Sequence, residues 1–235
     1  MTRRRWIADE ISDNRAALTG AHARHLAQVL RAQVGQEFDI STGSEVRRGR
    51  IACIHPDRVE FELGEVVAYP AGNAITVALS IFKFDRMEWA IEKCTELGVE
   101  RIVPVIAGRT ESNLAAAAPK RVERWRRIVR QAAEQSRGVS PPDISAPVKF
   151  EEIVAMTADL RIVLAETEEE LLLKDSLRQS AGSVLLAFGP EGGWKTQELA
   201  AFHDAGWVAA FLGDTILRAE TAAIAAVAIT ASILQ

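Results

Sequence analysis

Apolar and polar residues alternate over 37–41, 46–54 and 59–63, the period-two pattern of half-buried strands. Thr42-Gly43-Ser44 marks a turn between the first two. Upstream, Leu26, Val29 and Leu30 share a helical face over 21–30. Residues 1 to about 68 are therefore expected to form a small barrel-like β module with one helix. Tyr69-Pro70-Ala71-Gly72-Asn73 reads as a linker.

Beyond the linker the rhythm changes. A compact apolar strand is predicted at 75–80, then a helix over 85–97. That helix has Met87, Ala90, Ile91, Cys94 and Leu97 on one face and Gly98 at its end. A strand follows at 101–105. Pro119 suits the first turn of a helix whose core face is Val122, Trp125, Val129 and Ala132. Strands at 161–165, 183–188 and 208–212, a helix near 196–205 and an apolar final helix from Glu220 complete the series. Short apolar strands alternating with helices predict an α/β domain, its mostly parallel sheet covered on both faces.

Composition narrows the class. Of 235 residues, 48% are hydrophobic and 26% charged, enough apolar mass for a packed core. Cys53 and Cys94 form no paired motif, which fits a reducing cytoplasm and argues against a disulfide framework. His22, His25, His55 and His203 have no metal-ligand spacing, so no metal is assigned. Acidic residues after Arg3-Arg4-Arg5 break any export segment, and the apolar C-terminal stretch is too short to span a bilayer. The net charge of −4 conceals local clusters: Lys120, Arg121, Arg124, Arg126, Arg127, Arg130 and Arg137 are basic, and Glu168-Glu169-Glu170 is acidic.

Two loops carry candidate chemistry. Gly189-Pro190-Glu191-Gly192-Gly193 follows a buried strand and precedes a helix, where α/β sheets bind ligands. Its glycines permit positive φ and close backbone approach. A tight strand-to-helix turn without a ligand accounts for the spacing equally well. It matches neither GxGxxG nor GxxxxGK[ST], so dinucleotide and nucleoside-triphosphate sites lose support. The second loop, 212–222, also follows a strand and opens the last helix. Glu220 and Thr221 there have a plain reading as helix-capping groups. Arg218, just before a buried helix, needs an acceptor or an anion if it is desolvated.

Four segments in this order resemble the bacterial ribosomal RNA small-subunit uridine-N3 methyltransferases, within the SPOUT superfamily. They are Phe84-Asp85-Arg86-Met87-Glu88-Trp89-Ala90-Ile91-Glu92-Lys93-Cys94-Thr95-Glu96-Leu97-Gly98-Val99; Arg124-Trp125 with Ala133-Glu134-Gln135-Ser136-Arg137; Phe188-Gly189-Pro190-Glu191-Gly192-Gly193; and Leu212-Gly213 with Ile216-Leu217-Arg218-Ala219-Glu220-Thr221-Ala222. With His25, Val29-Leu30-Arg31 and Gly35 the resemblance covers nearly the whole chain. It implies a PUA-like RNA-binding barrel over 1–70 and a SPOUT methyltransferase domain over 74–235 with a deep trefoil knot. The knot breaks the usual topology rule and cannot be read from pattern. The resemblance further implies a homodimer, S-adenosyl-L-methionine as cofactor and 16S ribosomal RNA or the small ribosomal subunit as partner. By position, Glu166, Gly189, Pro190, Glu191, Gly192, Gly193, Leu212, Gly213, Ile216, Leu217 and Thr221 are expected to hold the cofactor. Asp214-Thr215 departs from the family pattern, which often has proline or a basic residue there.

Methylation of uridine N3 needs an aligned methyl donor, a group to take the proton or stabilise the anion, and a basic platform for RNA. Arg218 is the candidate for stabilising negative charge on the base, and Glu220 the weaker candidate for accepting the proton. Arg3, Arg4, Arg5, Arg31, Arg126, Arg130 and Arg137 are the candidates for RNA contact; an ordinary solvated surface is the alternative for each. Two rival functions remain at this stage. One is a SPOUT enzyme acting on another RNA atom, such as a ribose 2′-oxygen, and the other a non-catalytic RNA-binding ribosome-assembly factor.

Overall fold

A computed structural model of the chain describes residues 5–68, 74–136, 138–177 and 182–234. It divides into two compact units at Ala71, with Ala133–Pro141 grouped with the first. That discontinuity is invisible to a linear reading of the chain. Within the first unit, the Ser41 hydroxyl donates to the Val139 carbonyl, and His22 Nε2 lies 3.5 Å from Glu134.

The first unit contains β1 (Arg5–Ile7), β2 (Glu10–Ser12), β3 (Arg15–Thr19), α1 (Gly20–Arg24), β4 (Glu37–Ser41), β5 (Val46–His55) and β6 (Arg58–Val67). Its six strands pair in the order β1-β4-β5-β6-β3-β2 in a curled, barrel-like sheet, with β1 parallel to β4 and the other pairs antiparallel. Leu18, Leu26, Ile40, Ile51, Val59 and Phe61 fill its core. β5 carries a register shift between Arg47 and Gly49, and a Cβ on Gly49 would lie 2.3 Å from Ile40 Cγ1. Glycine lets the strand bend over Ile40. The single helix expected over 21–30 is instead α1 followed by a π-helical turn, His25–Val29. The Leu30 amide donates to the His25 carbonyl, five residues back, and Arg31 ends the turn at φ 51°.

The second unit runs β7 (Ile75–Ser80), α2 (Phe84–Glu96), β8 (Arg101–Ile106), α3 (Ser112–Ala117), α4 (Val122–Ser136, its last turn in the first unit), β9 (Asp143–Ile144), β10 (Val148–Lys149), α5 (Phe150–Val154), β11 (Leu160–Leu164), α6 (Leu173–Ser176), β12 (Val184–Phe188), α7 (Thr196–Asp204), β13 (Val208–Ala210) and α8 (Ala219–Leu234). Its seven strands are all parallel, in the order β10-β8-β7-β12-β11-β13 with β9 beside β8. Two apolar layers sandwich the sheet, so this is the α/β class expected from the alternating elements. One layer includes Met87, Ile91, Trp125, Val129, Ala223 and Val227 from α2, α4 and α8. The other is aromatic: Phe202 packs edge-on against Trp194 and tilted against Trp207, with ring centroids 5.0 and 4.7 Å apart. All five residues of β12 are buried, as a central strand covered on both sides demands.

Three sequence expectations are revised. Pro119 opens a 3-10 turn, Ala118–Arg121, and α4 begins only at Val122. β13 stops at Ala210, because Phe211 pairs instead with Leu172 in the chain after β11. The short elements α3, β9, β10, α5 and α6 were not foreseen; each has two to six residues, too few for a periodic signal.

Candidate functional site

Strands β12 and β11 and the edge strand β13 are neighbours, and all three point the same way. Their C-terminal ends therefore open on one side of the sheet, where the chain leaves each strand as a loop. Those three loops line a single cavity of about 1060 Å³. Leu164–Glu169 follows β11, Phe188–Trp194 follows β12, and Ala210–Glu220 with Ala222 follows β13. The volume is large enough for a nucleoside-sized ligand, since small-molecule sites occupy roughly 300–1,000 Å³.

The glycine-rich loop is anchored at both ends. The indole of Trp194, 7% exposed, donates from Nε1 to the Leu164 carbonyl at 3.1 Å and ties the loop to β11. The Gly193 amide donates to the Pro190 carbonyl at 2.8 Å, closing a turn with Gly193 at φ 68°. A Cβ on Gly189 would stand 3.3 Å from the Gly193 carbonyl carbon and from Trp194 N and Nε1. Glycine is thus favoured at 189, where a Cβ would press tightly on the Gly193–Trp194 backbone, and at 193 for its positive φ.

The expected cofactor residues come together with one exception. Glu166, Gly189, Pro190, Glu191, Gly192, Gly193, Leu212, Gly213, Ile216 and Leu217 all line the cavity. Thr221 does not; its side chain is exposed on α8. Asp214 and Thr215 line the cavity too, and Ile216 is 83% exposed there, a bare apolar side chain at the rim.

Arg218 and Glu220 both line the cavity, in different states from those the sequence suggested. Arg218 is exposed, so the need of a desolvated guanidinium for a partner does not arise. Its carbonyl accepts the Ala222 amide at 2.8 Å as α8 begins. Glu220 sits in the first turn of α8 at 4% exposure, and its Oε2 has no hydrogen-bond partner among the described residues. A carboxylate used for capping would have satisfied both oxygens at the surface. Buried with an orphaned oxygen, it awaits a donor.

Sequence reasoning missed two arginines in the wall. Arg86, in the first turn of α2, reaches Glu191 with Nη1 at 2.6 Å, and its Nε lies 3.8 Å from Glu220 Oε1. Arg109, after β8, donates from Nη1 to the Gly192 carbonyl at 2.6 Å. Arg86 stands inside a quoted motif, so a charged residue on the first turn was a usable signal. Arg109 gave none, being 83 residues from its partner.

The RNA candidates are scattered. Arg3, Arg4 and Arg137 lie outside the described residues. Arg5 is half-buried at the start of β1, and Arg31 is exposed at positive φ. Arg126 is exposed and pairs with Glu123, and Arg130 is half-buried on α4. Part of the basic cluster serves the fold: Arg124 and Arg121 lie 2.7 and 3.7 Å from Glu88 on α2. Arg47 likewise donates to the carbonyls of Gly64 and Leu63. Among the described residues no group of three or more His, Cys, Asp or Glu is placed to hold a metal ion, and no helix is long and apolar enough to cross a membrane.

Residues 70–231 match the model of the RNA methyltransferase domain family. The ribosomal RNA small subunit methyltransferase E of Mycobacterium bovis is 35% identical over 225 residues, covering 90% of this chain and 84% of that protein. The chain belongs to the ribosomal RNA small subunit methyltransferase E family. The Aquifex aeolicus member is 32% identical, with 95% of this chain and 97% of the relative covered. Among solved structures, the Neisseria gonorrhoeae member bound to S-adenosyl methionine superposes with a TM-score of 0.84. It is 29% identical and covers 97% of this chain and 96% of its own.

Proposed function

We propose that this chain transfers a methyl group from S-adenosyl-L-methionine to N3 of a uridine in 16S ribosomal RNA. The observation that carries the reading is the single cavity formed by the glycine-rich loop and the 210–222 loop, with a buried, half-unsatisfied carboxylate in its wall. Family membership supports the RNA substrate and the cofactor.

The residues present fit the cofactor. Residues 189–193 and 212–217 line the cavity and include four glycines, which add no side chain there, so a purine and a methionyl chain can approach the backbone closely. When bound, the sulfonium supplies an electrophilic methyl group. Everything else falls to the chain. The loops hold the donor in line with the nucleophile, a positioning task. As the N–C bond forms at uridine N3, the N3 proton must leave; Glu220 Oε2, buried and without a hydrogen-bond partner among the described residues, is the acceptor. Arg218, exposed at the cavity wall, stabilises the charge that develops on the uracil oxygens. The balance closes with a protonated carboxyl, methylated uridine and S-adenosylhomocysteine.

The finer architecture belongs to the same proposal. A PUA-like barrel in the first unit docks RNA through Arg5, Arg31 and the N-terminal arginines. A trefoil knot in the second unit is supported by the chain after β13: the Phe211 amide donates to the Leu171 carbonyl and its carbonyl accepts the Leu173 amide, at 3.0 and 2.9 Å. That seats it against the loop that follows β11. A homodimer through α8 and α2 is supported by Trp89 and Ile233, 48% and 40% exposed on those two packed helices. A cytoplasmic location follows from the ribosomal substrate.

The test uses the full chain, labelled cofactor, and small subunits or 16S RNA from cells lacking the gene. Nucleoside mass spectrometry should find the label on the base. N3 methylation blocks the pairing edge and stops reverse transcription, which locates the nucleotide. Label on ribose identifies a 2′-O enzyme; absence of both cofactor binding and transfer identifies an assembly factor. Glu220→Gln should bind cofactor and lose most turnover.

A further inference from the structure

The glycine-rich loop contains one peptide unit with unusual freedom, the amide joining Gly192 to Gly193. With no Cβ on either side, rotating that plane costs little sterically, and two glycines in sequence invite it to flip. Here the plane is fixed from both edges. Its N–H, on Gly193, donates to the Pro190 carbonyl at 2.8 Å. Its C=O, on Gly192, accepts from Arg109 Nη1 at 2.6 Å. One bond closes the loop's own turn; the other comes from the turn that follows β8.

Arg109 itself sits on a braced turn. The Ala107 amide donates to Thr110 Oγ1 and the Thr110 amide to the Ala107 carbonyl, both at 3.0 Å. Between them, the Gly108 amide donates to Glu198 Oε1 at 2.7 Å. Glu198, 6% exposed in the first turn of α7, accepts the Lys195 amide on its other oxygen at 2.7 Å. Burying a carboxylate is costly unless charge-assisted hydrogen bonds compensate. Only one of these two bonds serves its own helix. The other fastens the loop that presents Arg109.

We infer that Arg109, held in place through Glu198, is a positioning residue that locks the Gly192–Gly193 peptide in the orientation that receives the cofactor. The inference rests on the cofactor reading above and deepens it. Without the guanidinium, only the Pro190 bond opposes the flip, and the binding-competent fraction of loops falls. Apparent affinity falls by the same fraction. Loss of one charge-assisted hydrogen bond shifts such an equilibrium by roughly one to two powers of ten.

The test is calorimetric titration of the full chain with S-adenosyl-L-methionine, for wild type, Arg109→Met, Arg109→Lys and Glu198→Gln. Arg109→Met should weaken binding about ten- to a hundredfold, with Arg109→Lys recovering part of the loss. Because Arg109 is exposed, its ligand-free melting temperature should match wild type. Turnover at saturating cofactor should stay near normal while the KM for cofactor rises. Glu198→Gln should weaken cofactor binding too, and the double variant Arg109→Met with Glu198→Gln should lose less than the product of the single effects. Unchanged cofactor affinity in Arg109→Met overturns the inference. So does a loss confined to RNA affinity, which makes Arg109 a phosphate contact instead. A wild type that does not bind the cofactor overturns the functional reading rather than this one.

Discussion

The Arg86 guanidinium joins the two halves of the cavity wall: Nη1 contacts Glu191 of the glycine-rich loop at 2.6 Å, and Nε stands 3.8 Å from Glu220 on α8. The second contact matters more, because Glu220 is 6% exposed in its side chain and Arg86 32%. Stripping the cation from a buried carboxylate leaves an uncompensated charge. Arg86→Met keeps most of the length and removes that cation. A fully buried pair broken in this way loses roughly 3–5 kcal/mol; with Arg86 a third exposed and 3.8 Å away, about 1–2 is expected. Urea unfolding of the ligand-free chain measures it. Adding Glu220→Met to Arg86→Met should restore stability without restoring methyl transfer. A single variant as stable as wild type removes Arg86 from this role.

Two glycines in one loop should respond differently to substitution. A Cβ on Gly192 meets only Arg109 Cδ and Cβ, at 3.5 and 3.7 Å, which is ordinary contact. Gly192→Val should therefore fold and melt like wild type yet bind cofactor at least about tenfold more weakly, as a clash of some 1.4 kcal/mol implies. Gly189→Ala meets backbone at 3.3 Å and should lower melting temperature and affinity together. Equal behaviour of the two variants contradicts the geometry.

This contrast shows what the sequence carries and what it does not. Trp125 and Val129 of α4 were legible because one buried face imposes a helical period, and β12 because a strand covered on both sides reads as a continuous apolar run. The glycine-rich loop was legible through its place after a buried strand. That Glu220 is buried rather than a surface cap was not, since one turn of helix reads the same in either setting. Nor was Arg109, because its partner is a backbone carbonyl, and a carbonyl leaves no trace in residue type. Thr221 shows the converse: adjacent in sequence to Glu220, it faces away because successive helix positions are about 100° apart.

Cys94 gives a pH prediction. Burial pushes its thiol from an ordinary 9.0 up to about 12, since the thiolate has no partner to offset desolvation. Below pH 9 the thiol is neutral in both folded and unfolded chains, and the contribution to stability is fully present. Between 9 and 12 the unfolded chain ionises and the folded one does not, so stability falls as pH rises. Urea midpoints at pH 8 and 10.5 should fall more for wild type than for Cys94→Ala, the difference isolating this group. In the native chain a thiol reagent should modify half-exposed Cys53 and spare Cys94. Rapid labelling of both without unfolding contradicts the burial.

Arg218 is the sharpest test of mechanism. It lies between the 212–217 segment and the first turn of α8, on the wall shared by both loops. Exposed, and in no ion pair among the described residues, it has a charge available to the nucleotide. Arg218→Ala should lower methyl transfer by roughly a hundredfold or more, the scale of losing one transition-state donor. Cofactor affinity should change much less, because the interaction forms with uracil. If Arg218 instead braces the proposed knot or dimer, the variant loses melting temperature and cofactor binding together. Single-turnover kinetics beside thermal melting separate the outcomes. A folded variant that binds cofactor and RNA and methylates at the wild-type rate rules out the catalytic role and leaves Glu220 to explain how the N3 proton departs without help from a cation.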